Sequence, residues 1–235
     1  MSAHWFDVID QTWPAADQQT VGGFTLREGQ GGGSRVSAAT MVDGHAVDID
    51  AAEQAMLDMG QKRLFMIRPG DEALDAQLET RGYSVVDAVT IYACPAVKLT
   101  DLAIPRVTVF TIWEPLSIMR EIWAAGGIGP ERLDIMARVE GPKTGLLSRF
   151  NDKPGGAGFV GVLDGVAMVH ALEIVPFQRK QGLAKWMMRG AAFWALDNGA
   201  ETLSVMCTKA NDGANALYRS LGMDPVSEYH YRCLV

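Results

Sequence analysis

Between Glu173 and Met188 the sequence reads "EIVPFQRKQGLAKWMM": an apolar run stops at Pro176, passes through Arg179, Lys180, Gln181 and Gly182, and resumes as an amphipathic helix at Leu183. Proline cannot donate to a strand ladder, so the run ends there as a strand. A helix start presents several unpaired N–H groups and about half a positive charge, and glycine lets an oxyanion approach the backbone. Residues of these types in this order suit a phosphate. The helix carries Leu183, Trp186, Met187, Gly190 and Trp194 on one face, with Lys185 and Arg189 on another, close to where a diphosphate would lie. Upstream stands His170, whose type has an ordinary pKa of about 6.5 and suits proton transfer near neutrality. Strand alternation puts His170 on one face with Leu172 and Ile174, and Glu173 on the other. A base and a satisfied core histidine are both open readings of His170.

These residues need elements to position them, and the second half of the chain supplies a regular alternation. "RVTVFTIW" reads as a strand, "PLSIMREIWAAGG" and "PERLDIMARV" as helices with i, i+3, i+4 apolar spacing. Three strands follow: "KTGLLSRF" turns through "NDKPGG" into "AGFVGVL", and Asp164-Gly165 makes a two-residue hairpin into "VAMVHALEIV". Next come the helix "LAKWMMRGAAFWALDN", the strand "ETLSVMCTK", a short helix "GANALYRSL" stopped by Gly222, and the strand "SEYHYRCLV". The order βααβββαβαβ predicts an α+β, or mixed α/β, layer around a central sheet.

The first half follows a looser version of that order. "GGFTLREG" and "SRVSAATMV" read as strands, "DIDAAEQAMLDMG" as a helix with an acidic start, and "RLFMIRP" as a strand. Then "LETRGYSVVDAVTIYA" aligns with "YRSLGMDPVSEYHYR" at Gly82 and Gly222 without a gap, a weak internal repeat. The predicted linker is "CPAVKLTDLAIP", which separates domains at 1–100 and 105–235. "GQGGGSR" lacks both the third glycine of a dinucleotide fingerprint and the Lys-Ser/Thr of a P-loop, and reads as a flexible turn.

The stretch "VPFQRKQGLA" resembles the R-x-x-G-x-A acetyl-CoA loop of the GNAT superfamily of N-acetyltransferases at Arg179, Gly182 and Ala184. "NDGANALYRSLGM" is similar to that family's second signature at Asn211, Ala214, Leu217, Tyr218 and Gly222, with Met223 where the family usually has an aromatic residue. The resemblance implies a GNAT-like central mixed sheet flanked by helices. It also implies two tandem domains, a degenerate one without a cofactor loop and a catalytic one at 105–235. Acetyl-CoA would be the co-substrate, held by Leu172, Ile174, Arg179, Lys180, Gln181, Gly182, Leu183, Ala184, Lys185, Asn211 and Tyr218. Tyr218 would be the general acid and His170 a base, transferring acetyl to a primary amine of a small molecule or peptide. A non-catalytic acyl-CoA-binding or sensor module is the alternative, and the acceptor's identity and the oligomeric state stay open.

Composition narrows the partners. The 235 residues are 48% hydrophobic and 21% charged, which suits a globular chain. No basic leader opens "MSAHWFDVIDQTWPAADQQ", and no run reaches the roughly 20 apolar residues of a membrane span, so a cytoplasmic location is expected. Cys94, Cys207 and Cys233 show neither disulfide nor zinc spacing, and no metal is expected. Met1 to Ile104 holds 15 acidic and 7 basic residues, a balance of −8; Pro105 to Val235 holds 13 and 14, a balance of +1. The acidic half argues against nucleic acid and suits a cationic substrate.

Overall fold

The structure, a computed structural model, describes residues 5–234. Met1 to His4 of the opening stretch and Val235, read as the end of the last strand, lie outside them. The elements run α1 (Trp5–Thr12), β1 (Asp17–Val21), β2 (Phe24–Glu28), β3 (Thr40–Met41), α2 (Ile49–Asp58), β4 (Leu64–Ile67), α3 (Glu72–Thr80) and β5 (Ser84–Pro95). They continue β6 (Val109–Ile112), α4 (Ser117–Ala125), α5 (Pro130–Arg138), β7 (Lys143–Phe150), β8 (Lys153–Leu163), β9 (Val166–Ile174), α6 (Leu183–Asp197), β10 (Thr202–Thr208), α7 (Asp212–Ser220) and β11 (Asp224–Cys233). This is a mixed α/β architecture with a large sheet flanked by helices. Among the described residues no helix is long and apolar enough to cross a membrane.

Two compact units interleave along the chain. The first takes residues up to Pro14, Ile91–Cys207 and Asp212–Val226; the second takes Ala15–Thr90, Thr208–Asn211 and Ser227 onward. Strands β5 and β11 therefore each give residues to both units.

In the first unit the hydrogen-bonded order is β5-β10-β9-β8-β7-β6. Strands β6 to β9 are antiparallel neighbours, and β10 runs parallel to β9. The turn expected over "NDKPGG" tightens to Asn151-Asp152, both left-handed at φ 49° and 59°, so β8 already starts at Lys153. Two successive left-handed residues match the twist of a hairpin. Helix α6 lies close on the sheet because β8 offers glycines: a Cβ at Gly156 would sit 3.1 Å from Met187 Sδ. Around that contact Leu146, Val160, Val169, Met188, Leu203 and Tyr218 form the core.

In the second unit β1-β2-β3 form an antiparallel sheet, and β4 pairs antiparallel with β11 at His230↔Ile67 through Cys233↔Leu64. Phe24, Phe65 and Tyr83 meet edge to face at centroid distances of 5.2 and 5.6 Å in its core. The strand expected over "SRVSAATMV" shrinks to Thr40–Met41. Ser34–Val36 winds into a 3-10 turn instead, where Ser37 Oγ donates to Gly33 O and the Ala38 N–H to Ser34 O. Serine side chains offer the backbone that local alternative to a ladder.

The aligned segments end their helices alike. Gly82 and Gly222 have φ of 86° and 70°. Tyr83 N–H donates to Leu78 O and Met223 N–H to Tyr218 O, both at 3.1 Å. Each is the long hydrogen bond of a glycine-terminated helix.

Candidate active site

Strands β9 and β10 set the geometry of the candidate site. They pair from Val166↔Thr202 to Val169↔Val205, and there the paired register stops, although β9 continues to Ile174 and β10 to Thr208. Ala171 causes part of this: it has φ 49°, and between Phe159↔His170 and Ala157↔Glu173 the register against β8 shifts by one residue. Such a bulge bends a strand and re-aims the side chains after it. The indole of Trp123 on α4 holds it, donating to Ala171 O at 2.8 Å.

The bulge overturns the alternation expected for this strand. His170 does not share a face with Leu172 and Ile174. It faces α1, with Nε2 2.8 Å from Thr12 Oγ1 and its ring 5.0 Å from Trp13 and 6.3 Å from Phe159. Thr12 spends its hydroxyl proton on Val8 O at 2.6 Å, so His170 Nε2 carries a hydrogen and donates to Thr12. Only 3% of His170 is exposed. Leu172 and Ile174 turn the other way, onto the α6 side with Met187. Glu173 joins His170's side of the strand. Its carboxylate occupies the space a side chain at Gly126 would need, 2.9 Å from that site, at the end of α4.

After β9 the chain turns through Pro176–Gln178 and enters α6. Lys180 and Gly182 are left-handed at φ 62° and 81°, and Gly182 caps α6 without any side-chain hydrogen bond. A Cβ at Gly182 would meet nothing within 4 Å, so the backbone conformation, not crowding, calls for glycine. Leu183 is buried and Ala184 half-buried, while Lys180, Gln181 and Lys185 are exposed around the uncapped turn. Arg179 folds back on β9, with Nε on Ile174 O and Nη2 on Glu173 Oε1, both at 3.0 Å. Arg189, expected near a diphosphate, instead binds Leu99 O at 3.0 Å and the Asp101 carboxylate.

Tyr218 lies on α7, 4% exposed, with its ring 5.7 Å from Tyr92. Burial, and then the neighbouring Cys207, push its phenol well above the ordinary value, so it is protonated at neutral pH. One turn earlier sits Asn215, which the sequence reading missed. Its Oδ1 accepts from Tyr92 Oη at 2.9 Å and from Cys207 Sγ at 3.5 Å. Burial raises the Cys207 thiol to about 11. A visible signal existed: an asparagine three residues before Tyr218, on its apolar helix face, must find partners when buried. Asn211 belongs to the 208–211 segment of the second unit, its backbone N–H on Thr208 O at 3.0 Å. Among the described residues no group of three or more His, Cys, Asp or Glu is placed to hold a metal ion.

Residues 125–223 match the acetyltransferase (GNAT) family. Over 231 residues, 94% of each chain, this chain is 28% identical to the uncharacterized N-acetyltransferase YobR of Bacillus subtilis. Its fold is similar to a GCN5-related N-acetyltransferase from Kribbella flavida, with a TM-score of 0.72 at 19% identity, covering 99% of this chain and 95% of the other. It is also similar to a tandem GNAT protein from the clavulanic acid biosynthesis pathway, with a TM-score of 0.61 at 13% identity, covering 97% and 86%.

Proposed function

We propose that this chain, whose residues 125–223 match the acetyltransferase (GNAT) family, transfers an acetyl group from acetyl-CoA to a primary amine of a small molecule or peptide. One observation carries the reading: the start of α6 is bare, led by Gly182 and ringed by basic residues, directly after a strand whose pairing with β10 has ended. The backbone N–H groups from Gly182 to Lys185 suit the diphosphate, with Lys180 and Lys185 beside them. Leu172 and Ile174 form an apolar wall for the pantetheine arm on the α6 side. Arg179 fixes the turn to β9 and supports the cradle through its hold on Glu173.

Bound acetyl-CoA supplies the acetyl group as a thioester, and transfer makes a C–N bond as the C–S bond breaks. Tyr218 keeps the proton that the departing thiolate takes. The acceptor must be neutral to attack. Because the bulge turns Glu173 away from the apolar wall, the carboxylate of Glu173 is better placed than the enclosed imidazole of His170 to receive the ammonium proton. His170 positions β9 against α1. The catalytic role expected of 105–235 is proposed for the first unit, which also draws in residues up to Pro14 and Ile91 to Ile104, and the degenerate copy expected at 1–100 for the second, which also takes Thr208–Asn211 and the chain from Ser227.

The experiment is a titration with CoA followed by an amine panel read as free thiol from acetyl-CoA. At about 100 times the dissociation constant, CoA should add about 2.7 kcal/mol of stability. No stabilisation refutes the cofactor site. Stabilisation without thiol release from any amine favours an acyl-CoA sensor.

A further inference from the structure

Tyr92 lies outside 105–235, the stretch that holds both signature motifs, yet β5 brings it into the first unit beside β10. It is fully buried, and its hydroxyl donates to Asn215 Oδ1 on α7 at 2.9 Å. Asn215 stands one turn before Tyr218. We infer that Tyr92 is a positioning residue for acetyl transfer: by holding Asn215 it sets the rotation of α7, and so where the Tyr218 phenol points. The inference rests on the acid role proposed for Tyr218.

Helix α7 is nine residues long and buries Asn215 and Tyr218, with Ala214 and Leu217 partly buried against the core. Apolar contact is non-directional and tolerates a small rotation of so short a helix. A buried hydrogen bond does not, because it weakens steeply as its angle closes. The asparagine oxygen has two lone pairs, and both have donors: Tyr92 Oη at 2.9 Å and Cys207 Sγ, on β10, at 3.5 Å. Burial keeps Cys207 protonated, with its thiol raised to about 11, so oxygen is the amide atom that faces both donors. A thiol is a weak donor, and the Tyr92 hydroxyl therefore carries the constraint. The Tyr92 ring also lies 5.7 Å from the Tyr218 ring, so one side chain braces α7 at both positions. A general acid must come within hydrogen-bond reach of the atom it protonates, and a misplacement of about 1 Å can cost about 10²-fold in rate.

The repeat supplies a control. Aligning Gly82 with Gly222 puts Asp75 opposite Asn215 and Arg232 opposite Tyr92. In the second unit these positions form an ion pair, with Arg232 Nε and Nη2 on the Asp75 carboxylate at 2.6 and 3.1 Å. Each unit thus ties helix to strand at this point, but the unit that holds Tyr218 does so with neutral partners. An ionised carboxylate at position 215 would accept more strongly than an amide and compete, one turn away, for the phenol proton. Asn215 with Tyr92 gives the constraint without that competitor. In the second unit Leu78 stands opposite Tyr218, and the charged version has no acid to disturb.

The test reads the thiol of bound CoA. A donor aimed at sulfur favours the thiolate and lowers the thiol pKa. The full chain is saturated with CoA and thiolate absorbance is followed from about pH 7 to 10, with the desulfo-CoA complex as blank; Cys207 and the Tyr218 phenol, both raised, stay protonated there. Tyr218→Phe should raise the thiol pKa by about one, the loss of one charge-assisted hydrogen bond. Tyr92→Phe, which keeps the ring, should raise it by at least about half as much and add nothing in the Tyr218→Phe background, the coupling expected when one residue acts through the other. Tyr92→Phe combined with Asn215→Leu replaces both partners by apolar groups, which spares the fold, and should raise it too. No CoA binding refutes the cofactor site and this inference with it. An unmoved thiol pKa in Tyr218→Phe refutes the acid. A pKa moved by Tyr218→Phe but by neither Tyr92→Phe nor the paired variant, or moved additively, overturns the positioning role alone: the hydrogen bond then only stabilises the fold, and Tyr92→Phe lowers the melting temperature without touching the thiol.

Discussion

The starts of α2 and α6 occupy matching places before the repeated helix–strand pairs, yet they treat negative charge oppositely. Helix α2 carries its own anion: Asp48 caps it, accepting the Ala51 N–H at 3.0 Å. Helix α6 starts on Gly182 with no side-chain cap and with basic residues around it. A helix start occupied by an internal carboxylate has little left for a phosphate, and a bare one leaves its donors to a ligand. The same element order therefore leaves helix-start donors open for the proposed cofactor site in one unit and caps them with a carboxylate in the other.

The difference is testable where it should matter most, at Tyr218, the proposed general acid. The alignment places Leu78 opposite Tyr218, so the second unit lacks an acid at this position. Tyr218→Phe should lower acetyl-transfer turnover by about 10²- to 10⁴-fold while leaving CoA affinity nearly intact. Steady-state kinetics beside a CoA titration separate the two. Unchanged turnover would reduce Tyr218 to the core residue that Leu78 is.

Installing the α2 solution in α6 comes next. Gly182→Asp supplies a carboxylate cap and forces a side chain into a left-handed backbone. CoA should then lose most of the roughly 2.7 kcal/mol of stabilisation expected at 100 times the dissociation constant. Thermal melts with and without CoA measure it, and full retention of the shift would move the phosphate elsewhere.

How far the sequence disclosed this molecule depends on what signals its elements carry. The turn at Gly182 and the start of α6 at Leu183 were legible because a proline that ends a strand and a glycine before an amphipathic run show in residue types. So were the Asp164-Gly165 hairpin and the helices ended by Gly82 and Gly222. The bulge at Ala171 was not: "VAMVHALEIV" contains no glycine, proline or asparagine to mark it, and Trp123, which holds it, lies far away in sequence. That single inserted residue put Glu173 on the side of His170 and turned Leu172 and Ile174 to the other side. Helix α1 was missed because the opening stretch was read only for a leader, although Val8, Ile9 and Thr12 mark its buried side. The pairing of Arg232 with Asp75 joins segments more than a hundred residues apart, which no local pattern reveals.

That ion pair makes the units differ in acid as well. Asp75 titrates near 2 in the fold against an ordinary 3.8, chiefly through its Arg232 hydrogen bond, while Asn215 in the other unit does not titrate. A depressed carboxyl pKa contributes stability that is complete above about pH 4 and is lost as the pH falls towards 2. With Asp75 27% exposed, the expected loss is about 1–2 kcal/mol. Denaturant unfolding across that window should show it. Asp75→Asn should flatten this part of the profile, and an equally steep profile in the variant would assign the acid sensitivity to other carboxylates.

The smallest effect asks whether bareness alone makes a phosphate site. Asp48→Ala removes one cap hydrogen bond at an exposed helix start and should cost about 1 kcal/mol, whereas Asp48→Gly should cost only a few tenths, since glycine is itself tolerated at that position. Asp48→Gly also makes α2 begin as α6 does, but without the basic turn: the residues before it are "DGHAVD", with neither lysine nor arginine. In a Gly182→Asp background, where the native site is closed, CoA titration of this variant isolates the contribution of the helix start. No CoA binding is expected, because a half-charge at the helix end is a weak attraction unless basic side chains add to it. Binding gained there would show that an uncapped glycine start suffices, and would remove Lys180 and Lys185 from the account of how the first unit holds its cofactor.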